Sequence, residues 1–275
     1  MKISDFEIKR RGKYYYRGNW DKEIFLKSIA IIGSRRMTRY GKEVVDRFVS
    51  EIVANSITTI SGFMYGVDTE VHQKTVDYGG HTIAVFGCGL DVIYPPENEK
   101  LYKEIIKTGG SVVSEYEDNA KPHLWKFPQR NKIVAGLASL GVLVIEAGEG
   151  SGSLVTAKIA KKMGKKVWAV PGPINSSVSV GCNELIKSGD AQMATSVADI
   201  LKIENLKLKI RDEKNTNINM LGLESKIYEF LKVEPSEIDE IAQKLEENVV
   251  EVGSTLSIMG IKGLVTESGG KYYVQ

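Results

Sequence analysis

The sequence predicts an α/β protein with a doubly wound, mostly parallel sheet, followed by a small C-terminal domain of winged-helix type. Six short apolar segments alternate with helix-length segments between residues 28 and 202, which indicates right-handed βαβ units with helices on both faces of the sheet. Beyond a polar stretch at 203–220, apolar residues recur at helical spacing and a hairpin follows. A length of 275 residues suits one large and one small domain.

The predicted elements of the first domain are short and regularly spaced. The strands are Ser28–Ile32, Ile57–Ser61, Thr82–Phe86, Ser111–Glu115, Val142–Glu146 and Lys166–Val170. The helices are Gly41–Asn55, Val67–Tyr78, Glu97–Lys107, Gln129–Ser139 and Leu154–Met163, with shorter ones near Asn183–Lys187 and Ser196–Leu201.

The sequence also predicts an N-terminal segment, a linker and a C-terminal domain around this main domain. Residues 1–27 are basic and aromatic and are predicted to be an extended lead-in packed on the main domain, 28–202. Their clustered tyrosines, Tyr14, Tyr15 and Tyr16, suit a packing surface or a base-stacking platform. Residues 203–220 are predicted to be a linker, and 221–275 a winged helix of three helices and a hairpin that turns at Ser-Gly-Gly.

Composition narrows the class of protein. The hydrophobic share of 42% is that of a globular chain, and the net charge is +2. Residues 222–275 hold five lysines and ten carboxylates, so the net charge of the tail is about −5 and that of the rest about +7.

Two cysteines without paired spacing indicate a reducing compartment with no disulfide or zinc site. No run reaches the ~18 apolar residues of a membrane span, and no signal peptide is apparent. We expect a cytoplasmic protein without membrane contact.

The most informative stretch is Lys126–Met163. Its apolar strand leads through a glycine-serine loop into a helix, which directs backbone N–H groups and a positive helix end at one spot. Cations, an amide and an aromatic ring precede that strand, at Lys126, Phe127, Arg130, Asn131 and Lys132. This combination favours a nucleotide or a nucleic-acid backbone as ligand.

Turns of small residues follow five of the strands, at Gly33, Gly62, Gly87 and Gly89, Gly148–Gly152 and Gly172. Parallel strands place these turns at one edge of the sheet, where ligands bind in open α/β folds. Any single glycine there could instead serve as a helix cap or a turn. Arg35 and Arg36, directly after a buried strand, suit a phosphate ligand. Their alternative role is an ion pair with Glu115 or Glu146.

Signatures of enzymatic chemistry are missing. The sequence has neither a phosphate-loop lysine motif nor a dinucleotide-binding glycine fingerprint. His72, His81 and His123 lack metal-ligand spacing, and Glu146 could be a general base but has no evident partner. We therefore predict no catalytic residues, no metal and no cofactor.

Seven motifs resemble the DNA-processing protein A family (DprA, also called Smf), over about residues 14–201. They are Ile31–Arg36, Ser61–Asp68, Gly87–Asn98, Phe127–Gly136, Ser151–Ala157, Val170–Gly172 and Gly181–Ile186. The resemblance implies an extended Rossmann domain that binds single-stranded DNA, protects incoming strands during natural transformation and loads the RecA recombinase, as a homodimer. The sequence departs from the family at Lys132, where a second arginine is usual. It also leaves 27 residues where many members have an N-terminal helical domain.

The resemblance and the residues together give a set of DNA contacts. Arg35, Arg130, Lys132 and Lys126 are expected at phosphates and Phe127 at a base, with Arg35 and Arg130 dispensable for stability. The full predicted set is Gly33, Ser34, Arg35, Gly62, Gly87, Gly89, Lys126, Phe127, Arg130, Asn131, Lys132, Ser151, Gly152 and Ser153.

Other functions stay open. One alternative is a nucleotide-processing enzyme similar to phosphoribohydrolases, although their Pro-Gly-Gly-x-Gly-Thr-x-x-Glu signature is absent. Another is an adaptor that acts through its winged helix. The tail is acidic, and its candidate recognition segment, Val249–Met259, has no basic residue. Such a tail could contact another protein, cover the basic groove of the main domain, or only stabilise the fold as a cap.

Overall fold

A computed structural model describes residues 6–203, 222–261 and 264–274. The chain forms two units, residues 1–211 and 212–275, and each is treated by itself below. The predicted linker, 203–220, lies outside the described residues except for Ile203, which ends a helix.

One nine-stranded sheet organises the first unit, in the order β1-β2-β6-β5-β4-β3-β7-β8-β9. Strands β3 to β9 pair in parallel, whereas β1 and β2 are antiparallel and lie at one edge. The strands are β1 Lys9–Arg11, β2 Tyr14–Gly18, β3 Ser28–Gly33, β4 Thr58–Ser61, β5 Thr82–Val85, β6 Ser111–Ser114, β7 Gly141–Ile145, β8 Lys166–Ala169 and β9 Gln192–Met193.

Helices cover both faces of this sheet, so its central strands are buried on both sides. The helices are α1 Glu23–Leu26, α2 Arg39–Ala54, α3 Val67–Asp77, α4 Glu99–Lys107, α5 Lys126–Leu137, α6 Gly152–Lys162, α7 Val180–Lys187 and α8 Val197–Ile203. Along β3, Ile29 and Ile31 pack with α2 and α3, while Ala30 and Ile32 pack with α5 and α6. A short 3₁₀ turn, Pro96–Asn98, precedes α4.

The predicted fold class is confirmed, with the six strands displaced by at most one residue at either end. Helix α5 begins at Lys126 rather than Gln129, because a proline such as Pro128 is tolerated in the first turn of a helix. Strand β9 was not predicted, because two exposed residues carry no periodicity.

The N-terminal segment does more than pack on the domain. Strand β2 pairs with β6 and β1 pairs with β2, so residues 9–18 lengthen the sheet itself. Tyr14 and Tyr16 are half-buried and lie against Trp20, with ring centroids 6.1 and 4.7 Å from it. Tyr15 packs on the opposite face. The packing role of the tyrosines is therefore the one that the structure supports.

Arg17 anchors this added hairpin. Its buried guanidinium donates to the Leu90 carbonyl at 2.9 Å, the Tyr102 hydroxyl at 3.0 Å and the Asp91 carboxylate at 2.6 Å. Burial lowers the pKa of the Arg17 guanidinium, and its bonds to Tyr102 and Asp91 more than offset that, so that the pKa is raised overall. The cation joins β2 to the loop that follows β5.

The second unit contains three helices and a hairpin in the predicted order. They are α9 Leu223–Val233, α10 Ile238–Leu245, α11 Val249–Ile261, β10 Val265–Ser268 and β11 Lys271–Val274. Its core joins the helices through Ile227, Ile241 and Leu256, and Gly269 and Gly270 form the turn with φ of 61° and 81°. Its membership of the winged-helix class stays a prediction. Among the described helices of both units, none is long and apolar enough to cross a membrane.

Replacing Arg17 with leucine should lower the free energy of unfolding by about 2–4 kcal/mol, because buried acceptors on Leu90 and Tyr102 lose their charged donor. All three tryptophans, Trp20, Trp125 and Trp168, belong to the first unit, so tryptophan fluorescence during urea titration reports on that unit.

Arg10→Leu is the matched control, since Arg10 lies exposed on the neighbouring strand and donates to the carbonyl of Gly12. Equal losses of stability in the two variants would contradict an anchoring role for Arg17.

Candidate nucleic-acid interface

The order of the strands creates a crevice between β3 and β7. After β3 the chain adds β4, β5 and β6 on one side, and then returns to form β7 on the other side. The loops after β3 and β7 therefore leave the sheet in opposite directions, as at the ligand sites of other open α/β sheets. A cavity of about 770 Å³ opens there, which we call the switch-point cavity.

Most of the residues predicted from the sequence meet at this cavity. Those that line it are Gly33, Ser34, Arg35, Gly62, Phe127, Arg130, Asn131, Ser151, Gly152 and Ser153. Four predicted contacts do not line it: Gly87, Gly89, Lys126 and Lys132. The cavity is also lined by residues that were not predicted, because the loops that carry them have no distinctive pattern: Leu124, Glu149 and a rim at Ser177, Val178 and Val180.

Helix α6 directs its N-terminus at the cavity. Ser151 is the N-cap, and its hydroxyl accepts from the Ser153 backbone N–H at 3.3 Å and lies 2.7 Å from the Ser153 hydroxyl. Gly150 turns the loop with a φ of 68°. The first turn of this helix supplies backbone donors and a positive dipole end, which together favour an anionic group.

Arg35 is an exposed cation of the cavity wall. Its guanidinium lies 5.6 Å from the centre of the Phe127 ring. In the described residues no carboxylate is within ion-pair distance of it, so the alternative of a pair with Glu115 or Glu146 is not realised there. The side chain is available to a ligand. Arg36 is also exposed, and its backbone N–H donates to the Ser34 hydroxyl at 3.0 Å.

Arg130 has a different role from the one expected. It is 3% exposed, and its Nη1 donates to the carbonyl of Gly62 and, at 2.5 Å, to that of Val85. Burial lowers the pKa of the Arg130 guanidinium, and the nearby Asp68 carboxylate opposes that change. Burial likewise raises the pKa of Asp68, which Arg130 offsets in part. Arg130 joins α5 to the ends of β4 and β5, so these contacts do not support the expectation that it is dispensable for stability.

Lys126 is also buried, at 7% exposure. Its ammonium donates to the Lys121 carbonyl at 2.7 Å and lies 4.6 Å from the Tyr116 ring and 5.7 Å from the Trp125 ring. Lys132 is exposed on α5 but away from the cavity. Phosphate contacts by these two lysines stay a prediction that their positions do not support.

The glycines of the site are explained by close packing. A Cβ at Gly62 would lie 2.6 Å from both Arg130 Nη1 and Asp68 Oδ2. At Gly87 it would lie 2.9 Å from Phe127, and at Gly89 it would overlap the carbonyls of Glu117 and Asp118. Gly87 and Gly89 are buried, so the structure gives them a packing role, and their contact with DNA stays a prediction that this burial does not support.

Glu146 is occupied by a structural interaction. Its buried carboxylate accepts from the backbone N–H of Thr38 at 2.9 Å and from the Thr38 hydroxyl. Thr38 caps α2, so Glu146 ties the end of β7 to that helix. This bonding accounts for the buried acid without a role as general base. Across the described ranges, no cluster of histidine, cysteine and carboxylate side chains is arranged to hold a metal.

The similarity of this chain to a known protein family lies in the first unit. A sequence family described as DNA recombination-mediator protein A matches residues 11–205. DNA processing protein DprA of Streptococcus pneumoniae is 41% identical over 187 residues, which are 68% of this chain and 64% of that protein. Protein Smf of Escherichia coli K12 is 40% identical over 178 residues, 65% of this chain and 46% of that protein. The chain thus spans less than two thirds of either relative.

Two solved structures are similar in fold. DNA processing protein A from Streptococcus pneumoniae superposes with a TM-score of 0.63 at 38% identity, over 69% of this chain and 65% of that one. DNA processing protein A from Helicobacter pylori, described for its single-stranded DNA binding mode, gives 0.63 at 31% identity, over 70% of this chain and 88% of that one.

Arg130→Met should lower the free energy of unfolding by about 3 kcal/mol, because two buried carbonyls lose their donor and Asp68 loses the opposing charge. Arg35→Met, which removes an exposed cation, should change it by less than about 0.5 kcal/mol. Urea titration followed by tryptophan fluorescence measures both. An Arg130 variant as stable as the unsubstituted protein would show that the guanidinium does not hold α5 to the ends of β4 and β5.

Proposed function

This chain belongs to the DNA recombination-mediator protein A family, and from that premise we propose that it binds single-stranded DNA in the switch-point cavity. The observation that carries the proposal is the convergence of three features on one cavity. They are the N-terminus of α6, the exposed guanidinium of Arg35 and the ring of Phe127. A strand of nucleic acid offers phosphate to the first two features and a base to the third.

The roles of the residues follow from their groups. Arg35 donates in a planar fork that matches phosphate oxygens. Ser153 and the first turn of α6 supply backbone and hydroxyl donors to a neighbouring phosphate. Phe127 is half-buried with its ring against the wall of the cavity, and it stacks on a base without selecting one. Binding should therefore be sensitive to salt and tolerant of sequence.

The cavity is proposed to hold DNA without cutting or modifying it. Glu146 is bound to Thr38, and Asp68 is buried against Arg130 with a raised pKa. Cys88 and Cys182 are buried thiols whose pKa values burial raises to about 11 and about 12, which disfavours the nucleophilic thiolate. These placements support binding rather than turnover.

We further propose that the bound strand is protected and then transferred to the RecA recombinase, with the protein acting as a homodimer in the cytoplasm during recombination or natural transformation. The family described as recombination mediators supports this step. A mediator has to hold single-stranded DNA tightly enough to protect it and still release it to the recombinase. Many weak phosphate and stacking contacts allow such a transfer, because they can be exchanged one at a time.

Arg35→Ala should weaken binding to oligo-dT by about 1.5–3 kcal/mol, since one charge-assisted phosphate contact is lost. The slope of log affinity against log salt should flatten by about 0.7. Fluorescence anisotropy with labelled oligo-dT over a series of salt concentrations measures both quantities.

Lys107→Ala removes the same charge from an exposed position at the far end of α4 and should leave affinity and slope unchanged. Unchanged binding by the Arg35 variant as well would remove the proposed phosphate contact.

The second unit is not the main DNA-binding surface in this proposal. The exposed face of α11 carries Val250, Ser254 and Ile258, with Glu251 as its charged neighbour, and phosphate neutralisation needs lysine or arginine. A chain truncated after Asn219, in the part that the structure does not describe, should bind oligo-dT as tightly as the full chain or more tightly. A loss of about tenfold with the first unit still folded would show that the second unit holds DNA.

A further inference from the structure

Four aromatic side chains are exposed in the described part of the chain, and all four lie at the same edge of the sheet. Tyr40 is 37% exposed, Tyr65 42%, Tyr94 37% and Trp125 57%. Each lies in the segment that follows the carboxyl end of a parallel strand. The other described aromatic residues are buried or half-buried. We call these four residues the aromatic row.

The aromatic row follows the order of the strands. Tyr40 comes after β3, Tyr65 after β4, Tyr94 after β5 and Trp125 after β6, and these four strands are consecutive neighbours in the sheet. Neighbouring strands are ~4.8 Å apart, so the strand ends that carry the row span about 14 Å. The strand ends that carry the row run from β3, whose following loop lines the switch-point cavity, across the edge of the sheet to β6.

The rings are held in place although 37–57% of each side chain is exposed. The Tyr40 hydroxyl donates to the Pro171 carbonyl at 2.6 Å, and the Tyr65 hydroxyl to the Glu97 carboxylate at 3.0 Å. The Tyr94 ring lies 5.9 Å from Phe127, which lines the cavity.

Trp125 is supported by two rings of its own loop. It stacks on His123 with centroids 6.3 Å apart and planes 10° apart, and it meets Tyr116 edge to face at 6.3 Å. Rings fixed before a ligand arrives lose little conformational entropy on binding.

We propose that the aromatic row is a base-stacking track, along which single-stranded DNA continues from the cavity across the carboxyl edge of the sheet. The inference rests on the proposed function and extends its site by four residues. Exposed aromatic faces cost hydrophobic free energy in solvent, and unpaired bases have two apolar faces that cover them. The track is continuous with the cavity through the contact between Tyr94 and Phe127.

Trp125→Leu and Tyr94→Leu should each weaken binding of oligo-dT about tenfold, within the range that one stacked base contributes. The same substitutions should leave unchanged the binding of an abasic oligonucleotide, which has the phosphates and sugars but no bases. Leu26→Ala, at an exposed apolar position before β3, is the control and should change neither affinity. Trp125→Phe retains an aromatic face and should restore most of the affinity for oligo-dT.

Tryptophan fluorescence gives an independent readout. Trp168 is fully buried and Trp20 is packed against Tyr16, so quenching by bound oligo-dT should come from Trp125 and disappear in Trp125→Phe.

The outcomes separate the two proposals. A protein that binds neither oligonucleotide would overturn the proposed function itself. A protein that binds oligo-dT equally well with and without Trp125 and Tyr94 would overturn the track alone, and would indicate that the row meets another protein. Equal losses of affinity for both oligonucleotides would also overturn it, because the effect would then not depend on the bases.

Discussion

The geometry of the candidate site depends on the buried guanidinium of Arg130. It donates to the carbonyls of Gly62 and Val85, at the ends of β4 and β5, and thereby fixes the start of α5 against the carboxyl edge of the sheet. A buried cation needs hydrogen-bond acceptors for its N–H groups and an opposing charge nearby. The two carbonyls are the acceptors, and Asp68 supplies the charge. Gly62 leaves the required space, since any side chain there would overlap both groups. The positions of Phe127, about one turn before Arg130, and of Asn131, directly after it, follow from this bond network.

The role of a cation in the first unit therefore depends on whether its side chain is buried, and not on the sequence motif around it. Arg17, Lys126 and Arg130 are buried and use their donors on carbonyl, hydroxyl or carboxylate oxygens of the protein. They hold loops at the carboxyl edge in a single arrangement. Arg35 remains in solvent and can exchange its neighbour for a ligand. A binding site needs both kinds, because exposed donors are effective only when the frame that carries them is already ordered.

The sequence was sufficient for the central sheet and for the location of the cavity, since apolar runs and glycine turns at one edge are local signals. It was insufficient for β1 and β2, because the polar and aromatic run at 9–18 has no apolar alternation and its pairing partner, β6, is distant in the chain. It also could not distinguish Arg35 from Arg130. Both arginines lie in motifs that suit phosphate binding, and only the tertiary structure shows that Arg130 donates to backbone carbonyls. The same holds for Gly87 and Gly89, whose close neighbours come from other segments.

The ring of Phe127 connects these two kinds of cation. Arg35 lies 5.6 Å and Arg130 5.9 Å from its centre. The contact with Arg130 is fixed by the carbonyl bonds, whereas the contact with exposed Arg35 contributes only about 0.5–1 kcal/mol. A phosphate offers Arg35 a stronger, charge-assisted partner. In the proposed complex, Arg35 turns to a phosphate, and the face of Phe127 that it covers becomes free for a base. A nucleotide therefore presents both of the groups that this exchange requires, and a phosphate without a base would leave the uncovered ring in water.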